Sequence, residues 1–230
     1  MTRNVGVLLS GCGFLDGSEI HEAVLTMLSL DRRGAQRVCI APRAPQRDVV
    51  DHAAKAPTAG EPRNMLAEAA SIARARITDL ADVRVDSLDA LILPGGFGAA
   101  KNLSDFALAG ARAEVRGDVA RLLRAVHAAG KPIGAICIAP AVVAGVFGRE
   151  LHPVLTIGDD AGTAEALRTM GATHRTCPVT DCVVDAANRI VTTPAYMYDA
   201  RIGDVATGID KLVAAVLAMC DAGRAAGSAS

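Results

Sequence analysis

"GAICIAPAVV", residues 134–143, changes character half-way along. Gly134, Ala135 and Ile136 read as the end of a buried strand. Pro140 reads as the first turn of a helix, where its missing N–H costs nothing. Cys137 stands at the corner between them. A reacting group at a sharp strand-to-helix turn is displayed by the bend, as in the G-x-S-x-G elbow. The helix N-terminus behind it favours a thiolate, so Cys137 is expected to be the most acid-shifted thiol of the chain. The competing reading is a small apolar filler, because free cysteine is among the most buried residue types.

The same strand–turn–helix grammar recurs on both sides of this corner. "VGVLL" (5–9) is an apolar strand ending in "SGCG", followed by a helix over about 18–33 with Ile20, Val24, Met27 and Leu28 at helical spacing and Gly34 as a stop. "RVCIA" (37–41) is the next strand. Residues 42–63 hold four prolines and read as an excursion from the sheet, and 64–75 reads as a helix. "LDALILPGG" (88–96) is a buried strand running into a glycine turn. Helices follow over about 112–129, 140–147, 163–170 and 201–222. "VLTIG" (154–158) begins a further strand, and "DCVVDAANRIVTTPA" (181–195) reads as a hairpin. Near-continuous apolar strands alternating with helices argue for an α/β fold, a mostly parallel sheet with helices on both faces. One domain over 1–222 is expected, with 223–230 as a frayed tail.

Composition narrows the function classes. The chain has 230 residues, 51% of them hydrophobic, enough for one substantial core. Lys and Arg number 24 against 25 Asp and Glu, with no basic block, so neither nucleic acid nor a membrane is expected as a partner. The apolar run at the N-terminus is too short for a signal peptide or a span, which gives the expectation of a cytoplasmic protein. The six cysteines lack CxxC spacing and read as free thiols; no metal is expected. Gly11 and Gly13 begin a G-x-G-x-x-G pattern, but the third position is Asp16, whose carboxylate would oppose a pyrophosphate, so no nucleotide cofactor is expected either.

In such sheets ligands bind outside the carboxyl ends of the strands, where Ser10–Gly17, Pro94–Asn102 and Cys137–Pro140 all lie. Asp16 or Ser18 is read as the cap of the first helix, with Glu19 as its reciprocal partner. That explains Glu19 but leaves Glu22, which is either a solvated helix glutamate or a group facing the strand ends. Gly95 and Gly96 are either a tight turn or bare N–H donors for an oxyanion. Cys12 is a possible second thiol in the first strand-end loop. None of the five histidines has a partner that spacing identifies.

Taken together, "SGCGFLDGSEIHEAVL", "LPGGFGAAKNLSDFA", "ICIAPAV" and "IVTTPAYM" resemble the ElbB family, the enhancing-lycopene-biosynthesis proteins of the ThiJ/PfpI branch of the class I glutamine amidotransferase-like superfamily. The resemblance covers about residues 4–218. It implies a flavodoxin-like three-layer sandwich, a homodimer and glyoxalase activity. The family's nucleophilic cysteine falls on Cys137. Its helix glutamate, twelve residues before the glycine that ends the helix, falls on Glu22 when counted back from Gly34. Its oxyanion donors fall on the backbone of Gly96 and Ile138, with Gly95 beside them. Two departures stand out. Ile138 follows the nucleophile where many relatives have His, and Ile157-Gly158-Asp159 occupies the region where others place a His. A Cys–Glu pair acting on an aldehyde needs no leaving-group amine, so the resemblance implies a glutathione-independent conversion of glyoxal or methylglyoxal to the hydroxyacid, through a Cys137 hemithioacetal with Glu22 as proton shuttle. The alternative is a non-catalytic redox or stress-responsive binding protein with Cys137 as an oxidisable thiol.

Overall fold

The computed structural model describes residues 2–227. The chain opens with β1 (Asn4–Leu8), α1 (Ile20–Arg32) and β2 (Gln36–Ala41). The proline-rich excursion follows and contains a small antiparallel pair, β3 (Val50–Asp51) and β4 (Ala56–Pro57). Then come α2 (Met65–Ile72), β5 (Ile77–Asp79), β6 (Ala90–Leu93), and the short α3 (Phe97–Lys101) and α4 (Phe106–Ala109). The second half holds α5 (Gly117–Ala128), β7 (Ile133–Ile136), α6 (Pro140–Leu151) and β8 (Val154–Leu155). It ends with α7 (Ala161–Thr169), β9 (Thr173–His174), β10 (Val183–Asp185), β11 (Ile190–Thr193) and α8 (Ile202–Gly227).

A seven-stranded sheet runs in the order β10-β11-β7-β6-β1-β2-β5. All its pairings are parallel except β10 against β11. The four central strand residues of β6 and of β7 are all buried, as expected for strands covered on both faces. One apolar layer packs α1 and α8 against the sheet through residues such as Leu30, Ile209 and Val213; the other packs α5 and α6 through Leu123, Val143 and Phe147. This is the three-layer α/β sandwich expected from the alternation, with the carboxyl ends of β1, β6, β7 and β11 lined up along one edge.

Four local readings are corrected. Glu19, not Asp16 or Ser18, caps α1: its carboxylate accepts the Glu22 N–H at 2.6 Å. Asp16 is instead fully buried and accepts the Val50 N–H at 2.8 Å, pinning the excursion to the first strand-end loop. The strand at 154 belongs to a separate two-stranded sheet with β9, because β11 already occupies the edge of β7. Of the apolar stripe read on α1, only Met27 turns inward: Ile20, Val24 and Leu28 are 43%, 44% and 39% exposed, while the helix buries Met27 with Glu22, Ala23, Thr26 and Leu30. The backbone of α8 continues to Gly227, past the start of the expected tail; residues 228–230 lie outside the described residues.

Candidate active site

The site is built where β7 turns into α6. Cys137 carries a left-handed backbone with φ of +60°, a conformation that costs a non-glycine residue about 1–3 kcal/mol and is held only where surroundings over-determine it. Its N–H donates to the Thr193 carbonyl at 2.9 Å, extending the β7–β11 ladder by one residue, and Pro140 opens α6 immediately behind. Cys137 is only 7% exposed, so the elbow holds its sulfur away from bulk solvent.

Glu22 enters from the first turn of α1 with no exposed surface. Its Oε2 accepts the Gly95 N–H at 2.8 Å and its Oε1 accepts the Tyr196 N–H at 3.4 Å. The carboxyl also shares a hydrogen bond with the Cys137 thiol. Strand ends of β6, β7 and β11 therefore converge with the start of α1 on a single Cys–Glu pair.

The glycine turn after β6 is shaped by this pair. A Cβ on Gly95 would lie 2.6 Å from the Cys137 Cβ and 2.9 Å from Glu22 Oε2, so only glycine fits. Gly96 has φ of +88°, and a Cβ on it would lie 2.4 Å from the Glu19 nitrogen. The Gly96 and Ile138 N–H groups both point at the Cys137 sulfur. The Gly95 N–H, expected as a third donor there, is engaged by Glu22; its role is to orient the carboxyl.

Electrostatics reverse one expectation. Burial, followed by the neighbouring Glu22 charge, pushes the Cys137 thiol well above its ordinary range, and the two backbone N–H groups offset only part of this. The helix-dipole argument from sequence is outweighed by desolvation, which sequence does not show. Burial and then the Glu19 charge push Glu22 up to about 8, outweighing the hydrogen bonds from Gly95 and Tyr196 and the thiol. The pair thus holds two protons near neutrality and gives up the first in the mildly alkaline range.

The histidines are occupied elsewhere. His21 Nδ1 is 2.9 Å from the Tyr196 hydroxyl, beside but not on the pair. His152 Nδ1 bonds the Gly171 carbonyl, and His174 Nε2 accepts the Ile157 N–H at 3.4 Å. Cys12 is half-buried, its N–H on Gln46, and does not line the opening over Cys137. Tyr196 escaped the sequence reading: its only signal is "TTPAYM" directly after an apolar strand, and its place follows from the Thr193–Ile136 register of β11 on β7.

A cavity of about 400 Å³ opens above Cys137, with Phe97, Phe106, Tyr196 and Met197 among its walls. Around this strained Cys137 with its carboxyl and N–H neighbours, a model of the DJ-1/PfpI family matches residues 14–192. The chain belongs to the DJ-1/PfpI family. Within reach of this DJ-1/PfpI chain lies the human glutamine amidotransferase-like class 1 domain-containing protein 3, mitochondrial, 46% identical over 93% of this chain and 82% of that protein. The zebrafish ES1 protein, mitochondrial, is 34% identical over 94% of this chain and 86% of its own. Among solved structures, an isoprenoid biosynthesis protein with amidotransferase-like domain from Ehrlichia chaffeensis superposes with a TM-score of 0.89 at 39% identity, covering 95% of this chain and 99% of that one. The cytoplasmic expectation is corrected by these names: the human, rat and zebrafish relatives of this DJ-1/PfpI chain are all named as mitochondrial. It rested on the shortness of the apolar run near residues 5–9, a feature that speaks only to secretion or a membrane span.

Proposed function

We propose that this DJ-1/PfpI chain is an ElbB-like, glutathione-independent glyoxalase, converting a 2-oxoaldehyde and water into the 2-hydroxyacid. The observation that carries the reading is the buried hydrogen bond between the Glu22 carboxyl and the Cys137 thiol, with two N–H donors aimed at the same sulfur.

After loss of one proton from the pair, Cys137 sulfur adds to the aldehyde carbon of methylglyoxal and forms a hemithioacetal. The Gly96 and Ile138 N–H groups hold the oxygen as charge develops on it, and the proton that Glu22 retains neutralises it. Glu22, now a carboxylate, removes the hydrogen from the former aldehyde carbon to give an enediolate, and the hemithioacetal hydroxyl proton passes to the neighbouring oxygen. It then returns the proton to the neighbouring carbon, leaving a lactoyl thioester on Cys137. Water cleaves the thioester to lactate and restores the thiol, so the sum is methylglyoxal plus water giving lactate, with no net redox change. A carboxyl near 8 suits both the donating and the accepting half of this cycle.

A redox-sensing role gains less support, because a sulfur held above the ordinary thiol range is slow to oxidise. The outward stripe of Ile20, Val24 and Leu28 on α1 supports a homodimer joined along that helix. The test of the catalytic reading is lactate formation from methylglyoxal by the intact protein and by Cys137→Ser. Turnover abolished in the variant upholds it; turnover equal in both, or absent from the parent, ends it.

A further inference from the structure

The cavity over Cys137 has an uneven chemistry. Phe97, Phe106, Tyr196 and Met197 make its walls apolar, and Phe14 and Phe97 at its mouth are 42% and 47% exposed. Among the described residues, two carboxyls, Glu19 and Asp160, are the only charged side chains that line it. Asp160 caps α7 by accepting the Thr163 N–H at 2.7 Å, and bonds from Thr163 hold its carboxyl below the usual range, so it is anionic at neutral pH. Burial raises Glu19, whose carboxylate caps α1 and faces His21. Lys101 lies 5.4 Å from the Phe97 ring centroid but spends its ammonium on Asp48 at 2.7 Å and is not among the lining residues. A cavity of about 400 Å³ is far roomier than glyoxal or methylglyoxal needs; sites of ~300–1,000 Å³ enclose drug-sized ligands.

We propose that this cavity selects neutral electrophiles carrying an apolar substituent larger than methyl, and that Asp160 acts as a charge filter against anions. The proposal rests on Cys137 being the nucleophile, and for turnover it names the substrate class as aryl or branched-alkyl 2-oxoaldehydes. Oxoacids, phosphorylated carbonyls and glutathione adducts all carry the excluded charge. An apolar substituent would lie against the Phe97, Phe106 and Met197 side chains while the aldehyde carbon meets the sulfur.

The test is direct alkylation of Cys137 in the full-length protein, read by peptide mass mapping and requiring no turnover. Rates are measured with iodoacetamide, iodoacetate and N-phenyl-iodoacetamide, each divided by the rate with free cysteine at the same pH. Iodoacetate is expected to be about tenfold slower than iodoacetamide after normalisation, the scale of one or two partly screened charges nearby. The phenyl reagent is expected to be about tenfold faster, from burial of its ring. Asp160→Asn keeps the cap, since Asn serves as well there, and is expected to recover about threefold for iodoacetate. A normalised ratio near one for either reagent overturns the proposal, and an iodoacetate ratio unmoved by Asp160→Asn removes Asp160 from it. In turnover, phenylglyoxal is expected to exceed methylglyoxal in kcat/KM by about tenfold or more. Should no oxoaldehyde be turned over while the alkylation ratios hold, the glyoxalase reading falls and the selection stands.

Discussion

Gly95 donates its N–H to Glu22 Oε2 at 2.8 Å, and the space where a Gly95 side chain would stand is already filled by Cys137 and that same oxygen. One residue thereby fixes both the direction of the carboxyl and its distance from the sulfur. Gly95→Ala is expected to push the two apart. Overpacking of this kind destabilises by about 1–3 kcal/mol, and a displacement near 1 Å at a reacting pair lowers turnover by about 100-fold. Urea unfolding and kcat/KM on one preparation check both; a variant with full activity would show that the spacing is not used.

The pH profile follows from the shared protons. Below about 8 the pair keeps both protons, and neither a sulfur nucleophile nor a carboxylate base is available. Thus kcat/KM should climb about tenfold per pH unit from 6 upward and bend over near 8. A profile flat from pH 6 to 9 would contradict this assignment.

Glu19 tunes that limb. Its charge is the second cause, after burial, of the elevated Glu22 value. Glu19→Gln keeps an oxygen for the cap of α1 but removes the charge, so the limb should move to lower pH with only a small loss of stability. An unmoved limb would show that burial alone sets Glu22.

Stability carries the same signature. Glu22 lies at 4.5 in the unfolded chain and about 8 when folded, so between these values the folded state keeps a proton that the unfolded state has released. Stability from this group is therefore complete below 4.5 and is lost as pH rises to about 8. The loss is on the order of 4 kcal/mol across that window. Cys137, raised in the same sense, extends the decline to higher pH. Glu22→Gln has no such proton, so its urea midpoint should fall less between pH 5 and 8.5 than that of the parent; parallel declines would contradict the burial of an ionisable Glu22.

Much of this was legible in the chain because strands buried on both faces are written as continuous apolar runs. "ALIL" and "IGAI" could hardly be anything else, and Pro140 marked the corner at Cys137. What sequence could not carry were quantities set by packing. It offered Gly95 as a bare donor, yet not that Glu22 would take its N–H. It placed Cys137 on a helix N-terminus, where a dipole lowers a thiol, but desolvation arises only once α1, β6 and β11 close over the sulfur. Glu22 is singled out only by the family resemblance, whose helix glutamate falls twelve residues before Gly34, since as a lone glutamate in a helix it resembles any solvated one. Tyr196 depends on a strand register, and register between distant strands leaves no local mark. Of the stripe Ile20, Val24, Met27 and Leu28, which has the right period for a core face, only Met27 packs inward, because small and polar residues of α1 fit the close approach to the sheet.

The Cys137–Glu22 pair is tested most directly by steady-state formation of lactate from methylglyoxal by Glu22→Gln at pH 8, measured beside the parent protein. The amide fills the same space and can still meet the Gly95 N–H through its oxygen, but it can neither take nor return a proton. If Glu22 is the shuttle, turnover falls by roughly 100-fold or more while the urea midpoint at pH 8 rises. Turnover at the parental rate by this variant would contradict the shuttle.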